Sequence, residues 1–307
     1  MNLRNLKGDI RGATNTIIIV LIAILMVSGS SVVILLYDSG QRAESPDVEY
    51  ARWGDAVKVN YIGQLEDGRV FDTSLWDVAS NDALYPKSLT FTLRNESQYV
   101  PLQFQIGVGQ MIPGFEKGVI GMYLNQTKVI EIPPDEAYGQ LNQSKLVEIQ
   151  FIETLNVFET LNFTQFLAKF KKQPVVGMTL KDPHWKWDVT VMSVSADANS
   201  VMVRNQPDLG AKYPVYGKEL GLSKTGWYVK VDYYDSLANG GKGEIRVRNL
   251  LNVDDAGNLK GLDDMASEFI LYEVNPGTNT IVLNYNGELV GHTLTFTVTL
   301  VQIIPTG

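Results

Sequence analysis

Two histidines, His184 and His292, and no cysteine are all that 307 residues offer for imidazole or thiolate chemistry. A Ser-His-Asp triad or a histidine metal cluster is hard to build from so few, and disulfides, thiolate metal sites and cysteine nucleophiles are excluded. No metal or cofactor is expected. Gly107, Gly109, Gly114, Gly118 and Gly121 could suggest a phosphate-binding loop, but they lack the strand, helix and acidic context of a dinucleotide fold. Turn-making is the favoured reading. Taken singly, the many Phe, Tyr and Ile residues at alternating positions are ordinary core.

The elements that carry these residues can be read from periodicity. VKVNYIG alternates apolar and polar residues, turns at Asp67-Gly68 and continues into a second apolar stretch, the pattern of a β-hairpin. LQFQIGVGQMIPGFEKGVIGM passes from strand alternation to a short helix beginning near Pro113, and KVIEIPPDEAYG returns to strand before a loop. An antiparallel sheet wrapped on one short helix, an α+β architecture, is predicted. The 45% hydrophobic and 20% charged content is that of a globular chain of two or three domains. With 26 basic against 34 acidic residues, net charge -8, no basic surplus exists to neutralise phosphates, which argues against nucleic acid as a partner.

Ile17 to Tyr37 is an uncharged run of 21 residues, and a helix of that length spans a hydrocarbon core of about 30 Å. Arg4, Lys7 and Arg11 precede it, and Asp38, Glu44, Asp47 and Glu49 follow it. The positive-inside rule then predicts a cytoplasmic tail over 1–16, an anchor over 17–37, a linker over 38–52 and everything beyond outside the cytoplasm, in a single-pass protein of the cell membrane. A cleaved signal peptide and a buried helix are the competing readings. Sequons at Asn95, Asn125, Asn142 and Asn162 agree with an external location.

GDAVKVNYIGQLEDGRVFDTS, FQIGVGQMIPGFEKGVIGM, VIEIPPDEAYG and, at the end, LVGHTLTFTVTLVQI together resemble the FKBP family of peptidyl-prolyl cis/trans isomerases, in the right order. The resemblance covers about a third of the chain, and it implies a discontinuous catalytic domain over 53–140 and 285–304. It also implies the site. Tyr61, Phe71, Asp72 and Tyr138 fall on the catalytic positions, and Phe104, Met111, Ile112, Phe115 and Phe296 on the substrate-binding walls. Tyr138 and the Ile112 N–H are the implied hydrogen-bond donors to a substrate carbonyl. Phe115 stands where many members have Trp, as in the SlyD-like branch. No basic residue that would partner Asp72 is evident after VFDTSLWD, and the long stretch from Leu75 to Val100 is read as an extra hairpin beside the pocket.

The insertion at 141–284 sits where SlyD-like members carry an insert-in-flap chaperone domain. NSVMVRNQPDLGA from Asn199 aligns without gaps with NTIVLNYNGELVG from Asn279, so duplication into two units, about 150–216 and 217–284, is one reading and chance similarity the other. Met178, Trp185 and Trp187 could line a client-binding surface, although core is the commoner fate of such residues. The family resemblance implies an isomerase that assists folding of exported or membrane proteins, with unfolded or proline-containing polypeptides as partners and macrolides as a further ligand class. The alternative is a membrane-tethered holdase, or an envelope binding protein, with a vestigial isomerase domain.

Overall fold

The computed structural model describes residues 49–304. The expected tail, anchor and most of the linker lie outside the described residues, among which no helix is long and apolar enough to cross a membrane.

β1 (Ala56–Gln64) buries Val57, Val59 and Tyr61 on one face, as the alternation of VKVNYIG requires. β2 (Val70–Thr73) pairs with its C-terminal half and β3 (Leu102–Gln105) with its N-terminal half, both antiparallel and along the same edge. β4 (Thr127–Ile132) forms the far edge. The strand between β1 and β4 arrives only at the end of the chain: β17 (Leu294–Ile304) lies antiparallel to both, after twelve intervening strands. This five-stranded sheet curls over a seven-residue helix, so the α+β expectation holds for this part of the chain.

The stretch from Leu75 to Val100 forms no hairpin. It contains one helical turn, α1 (Trp76–Ala79), and a 3-10 turn at Glu96–Gln98, and it is linked to β2 by a parallel bridge between Lys87 and Val70. Asn81, Pro86, Pro101 and clustered polar residues interrupt any strand period, which is why turns prevail.

The helix that fills the sheet, α2 (Pro113–Val119), begins with Pro at its first position, where a fixed φ helps and a missing N–H costs nothing. Gly114 and Gly118 set its distance from β4. A Cβ at Gly114 would lie 2.3 Å from Ile132 Cγ2, and one at Gly118 would lie 2.5 Å from Ile130 Cδ1. Only glycine lets the helix sit this close.

The inserted chain first lays down β5 (Leu146–Gln150), β6 (Ile152–Leu155) and β7 (Phe158–Leu161), then the amphipathic helix α3 (Phe163–Phe170). Three antiparallel meanders follow: β8 (Thr179–Lys181), β9 (Asp188–Ser195) and β10 (Ser200–Gln206); β11 (Lys212–Val215), β12 (Trp227–Asp235) and β13 (Glu244–Asn249); β14 (Lys260–Leu262), β15 (Glu268–Asn275) and β16 (Thr280–Asn284). β7, β6 and β5 add a fourth strand to the first, second and third meander respectively. Where the alignment suggested two units, the chain builds three sheets around one hydrophobic core.

The middle strands are spaced by 40 residues. Val189, Val229 and Phe269 face the core, followed by Val191, Val231 and Leu271, and each strand then bulges, at Met192, Asp232 and Tyr272. Polar ties repeat too: Trp187 Nε1 donates to Asn205 Oδ1 at 3.0 Å, and Trp227 Nε1 donates to Asn249 Oδ1 at 2.6 Å. The 80-residue offset in the sequence therefore joins the first copy to the third. The middle copy escapes a gapless alignment because its hairpin carries eight residues, 236–243, where the outer two carry four. Trp187 is 1% exposed, and Met178 and Trp185 pack half-buried against the same core, so these three do not form an open surface.

Candidate active site

The concave side of the sheet, closed by α2, leaves a cavity of about 210 Å³ lined by Tyr61, Phe71, Asp72, Leu102, Gln110, Met111, Ile112, Phe115, Tyr138 and Phe296. Eight of the nine residues singled out from the sequence meet there. Phe104 does not. It points the same way as Leu102 on β3 but one pleat deeper, 2% exposed, with its ring 5.7 Å from that of Phe115, so it supports the floor and Leu102 forms the wall.

Phe115 is the hub of the apolar floor. Its ring lies 4.9 Å from Phe296 and 6.1 Å from Tyr61, both edge-on, and Phe296 in turn meets Phe71 at 5.5 Å. Buried Glu116, one residue further along α2, accepts from the Gly107 N–H at 2.9 Å and the Met111 N–H at 3.2 Å. These bonds fold the 107–111 loop back on the helix and hold Met111 and Ile112 at the rim. Among the described residues, neither the Ile112 N–H nor the Tyr138 hydroxyl has a hydrogen-bond partner. Both are available to a ligand.

The polar wall is built on Asp72. Its Oδ2 accepts from the Tyr61 hydroxyl at 2.5 Å, and its Oδ1 accepts from the Thr73 N–H at 2.8 Å and from Arg94 Nη2 at 3.0 Å. Arg94 also donates to the Thr73 carbonyl at 2.7 Å and lies over the Tyr99 ring at 4.8 Å. The basic partner missing after VFDTSLWD therefore exists, supplied from far along the stretch read as a hairpin. No local spacing marks it. Burial, then the neighbouring Asp72 carboxylate, push the Tyr61 hydroxyl far above the usual phenol range, and the same two causes raise Tyr138. Both phenols stay protonated at neutral pH. Among the described residues no group of three or more His, Asp or Glu side chains is placed to hold a metal ion.

Gly63 lies beneath this cleft. A Cβ there would fall 2.6 Å from the Phe71 ring and 3.0 Å from Phe296. Gly63→Ala should push the half-buried Phe71 ring into the cavity at a cost of about 1–3 kcal/mol, typical of overpacking, read as a lower melting temperature. An unchanged melting temperature would show that the ring is free to move elsewhere.

The curled sheet on a short helix and its aromatic pocket agree with the resemblance to FKBPs. Residues 48–164 match the family model described as FKBP-type peptidyl-prolyl cis-trans isomerase. Among curated proteins, the chain is 40% identical over 96 residues to the short-type peptidyl-prolyl cis-trans isomerase of Methanocaldococcus jannaschii, covering 31% of this chain and 55% of that one. It is 34% identical over 97 residues to FK506-binding protein 2 of Yarrowia lipolytica, covering 32% and 53%. The chain thus spans about half the length of these relatives. The crystal structure of AtFKBP13 matches at 28% identity over 31% of this chain and 66% of that one, with a TM-score of 0.21.

Proposed function

We propose that the chain catalyses cis/trans isomerisation of peptidyl-prolyl bonds. The observation that carries this reading is the cleft itself: an aromatic floor wide enough for a prolyl ring, with two unengaged donors, Tyr138 O–H and Ile112 N–H, at its rim. An X-Pro bond resists rotation by about 18–20 kcal/mol because resonance loads double-bond character onto C–N and negative charge onto oxygen. Transfer into a dry cleft removes the water that favours that charge separation, so the twisted, less resonant state is bound better than the planar one. Asp72 has donors on both oxygens. Its part is to fix Tyr61 and the neighbouring Phe71 and to set the local field, with no proton transfer required.

The same reading extends to the finer points. Clients are unfolded or proline-containing segments of exported or membrane proteins, held near the cleft by the inserted domain in the manner of the SlyD-like branch, which raises their local concentration. The apolar run over 17–37 anchors the chain with its catalytic domain outside the cytoplasm. A macrolide would occupy the same aromatic floor. In a protease-coupled assay the full chain should accelerate cis-to-trans conversion of a prolyl tetrapeptide, and it should stay with the membrane through alkaline extraction. Suppression of aggregation with no effect on the peptide would instead favour the holdase with a vestigial site.

A further inference from the structure

The two ends of the inserted domain meet beside the cleft. Gly291 N–H donates to the Gly139 carbonyl at 2.9 Å, next to Tyr138, and Asn286 exchanges hydrogen bonds with the Asn142 backbone at 3.1 and 3.2 Å. Just after the chain leaves the insertion, Glu288 reaches across to the stretch that precedes β3. Its side chain is 5% exposed, and the carboxylate accepts from Leu89 N–H at 2.8 Å, Thr90 N–H at 2.8 Å and Thr90 Oγ1 at 2.6 Å. Arg69 Nη1 stands 3.9 Å away, and it donates to the Gly257 carbonyl of the insertion at 2.8 Å.

The segment held in this way is the one that delivers Arg94. It runs along β2, with Val70 N–H donating to Pro86 O and Ser88 N–H to Val70 O, and four residues beyond Thr90 it places the guanidinium on Asp72. The carboxylate that holds it comes from 199 residues away in sequence. A buried charge is kept only where its partners are fixed, and three donors in two consecutive residues fix the backbone they belong to.

We infer that Glu288 is a positioning residue for the isomerase site, acting from the neck of the inserted domain through the 88–94 segment and Arg94 on Asp72. The inference rests on the isomerase reading above. Through Glu288 and the Gly139–Gly291 bond, the neck holds both polar elements of the cleft, the Asp72–Arg94 pair and Tyr138.

The test is a double-mutant cycle in the full chain, with kcat/KM on a prolyl tetrapeptide as the readout. Glu288→Gln keeps the size but turns a donor toward an N–H, freeing the segment. Loss of a fixed Arg94 should lower kcat/KM by about tenfold to a hundredfold. Arg94→Met should show a similar loss, and Glu288→Gln should add nothing to it. A role confined to folding would instead give the same fold-loss in both backgrounds, and that result, or no loss from Glu288→Gln or Arg94→Met alone, overturns the inference. If Glu288→Gln does not accumulate as folded protein, Thr90→Ala removes the 2.6 Å bond alone and is subject to the same comparison. A wild-type chain inactive on the peptide would overturn the isomerase reading and this inference with it, whereas an active wild type with multiplying losses overturns the inference alone.

Discussion

Phe71→Ala combined with Tyr138→Phe is expected to lower kcat/KM on a prolyl tetrapeptide by two orders of magnitude or more, while the melting temperature hardly moves. Phe71 presents its ring edge-on to Phe296 and forms one wall of the cleft, yet it is only half-buried, so its loss opens the pocket without emptying the core. A buried aromatic wall is worth about 1.5–3 kcal/mol of apolar contact, and each 1.36 kcal/mol is about a factor of ten in rate. Tyr138→Phe removes a hydroxyl that is 50% exposed at the residue level and bonded to nothing else among the described residues, so its cost falls on the substrate alone. Phe115→Ala makes the contrast. At 2% exposure this residue belongs to the core, and its truncation should unfold the domain rather than open the site, by about 3–5 kcal/mol. Circular dichroism melts beside the peptide assay separate the two kinds of loss. Full activity in the Phe71, Tyr138 double variant would remove the cleft from consideration.

A stability effect of the same size should come from the insertion. Asp182 has a fully buried carboxylate whose Oδ1 accepts from His184 and Trp185 N–H groups at 2.9 and 2.8 Å. Its Oδ2 has no aligned hydrogen-bond donor and depends on the Lys169 ammonium 2.9 Å away, which also approaches Glu159 at 3.6 Å. Lys169→Met strands that charge and should destabilise the insertion by about 3–5 kcal/mol. Adding Asp182→Asn, which keeps the Oδ1 bonds, should recover most of it. Burial would lower the Lys169 pKa, but Asp182 and then Glu159 raise it above the ordinary value. A raised folded pKa stabilises fully below the unfolded value of about 10.4 and loses that contribution only as pH climbs through the folded one. The pair should therefore hold undiminished from neutral pH to about 10, and a melting temperature that falls between pH 7 and 9 on its account would contradict this.

The pocket was legible through ordered motifs that resemble those of FKBPs, and the local geometry of those motifs agrees with it. Tyr61 faces inward because Val57 and Val59 do, by strand alternation, and Met111, Ile112 and Phe115 follow from a strand, a turn and a helix that begins at Pro113. The period-2 pattern could not say how far along β3 the cleft ends. Phe104 and Leu102 share a face, and only the position of α2 decides that the first lies beneath the floor and the second beside it. In the insertion, strand patterns were visible but their number was not, since an eight-residue hairpin in the middle copy breaks the register that the outer copies keep.

The sequence by itself determined the antiparallel sheet on a short helix, because residues a few places apart on one strand or turn have no freedom to face elsewhere, and the resemblance of its ordered motifs to FKBPs pointed to the aromatic floor and to Tyr61, Asp72 and Tyr138 as its polar groups. Only the tertiary structure decided what holds those groups. Arg94 reaches Asp72 across 22 residues, His292 reaches Glu66 across 226 and Glu288 reaches Leu89 across 199. Such partners are chosen by where irregular chain is led, and irregular chain carries no period from which its path can be read.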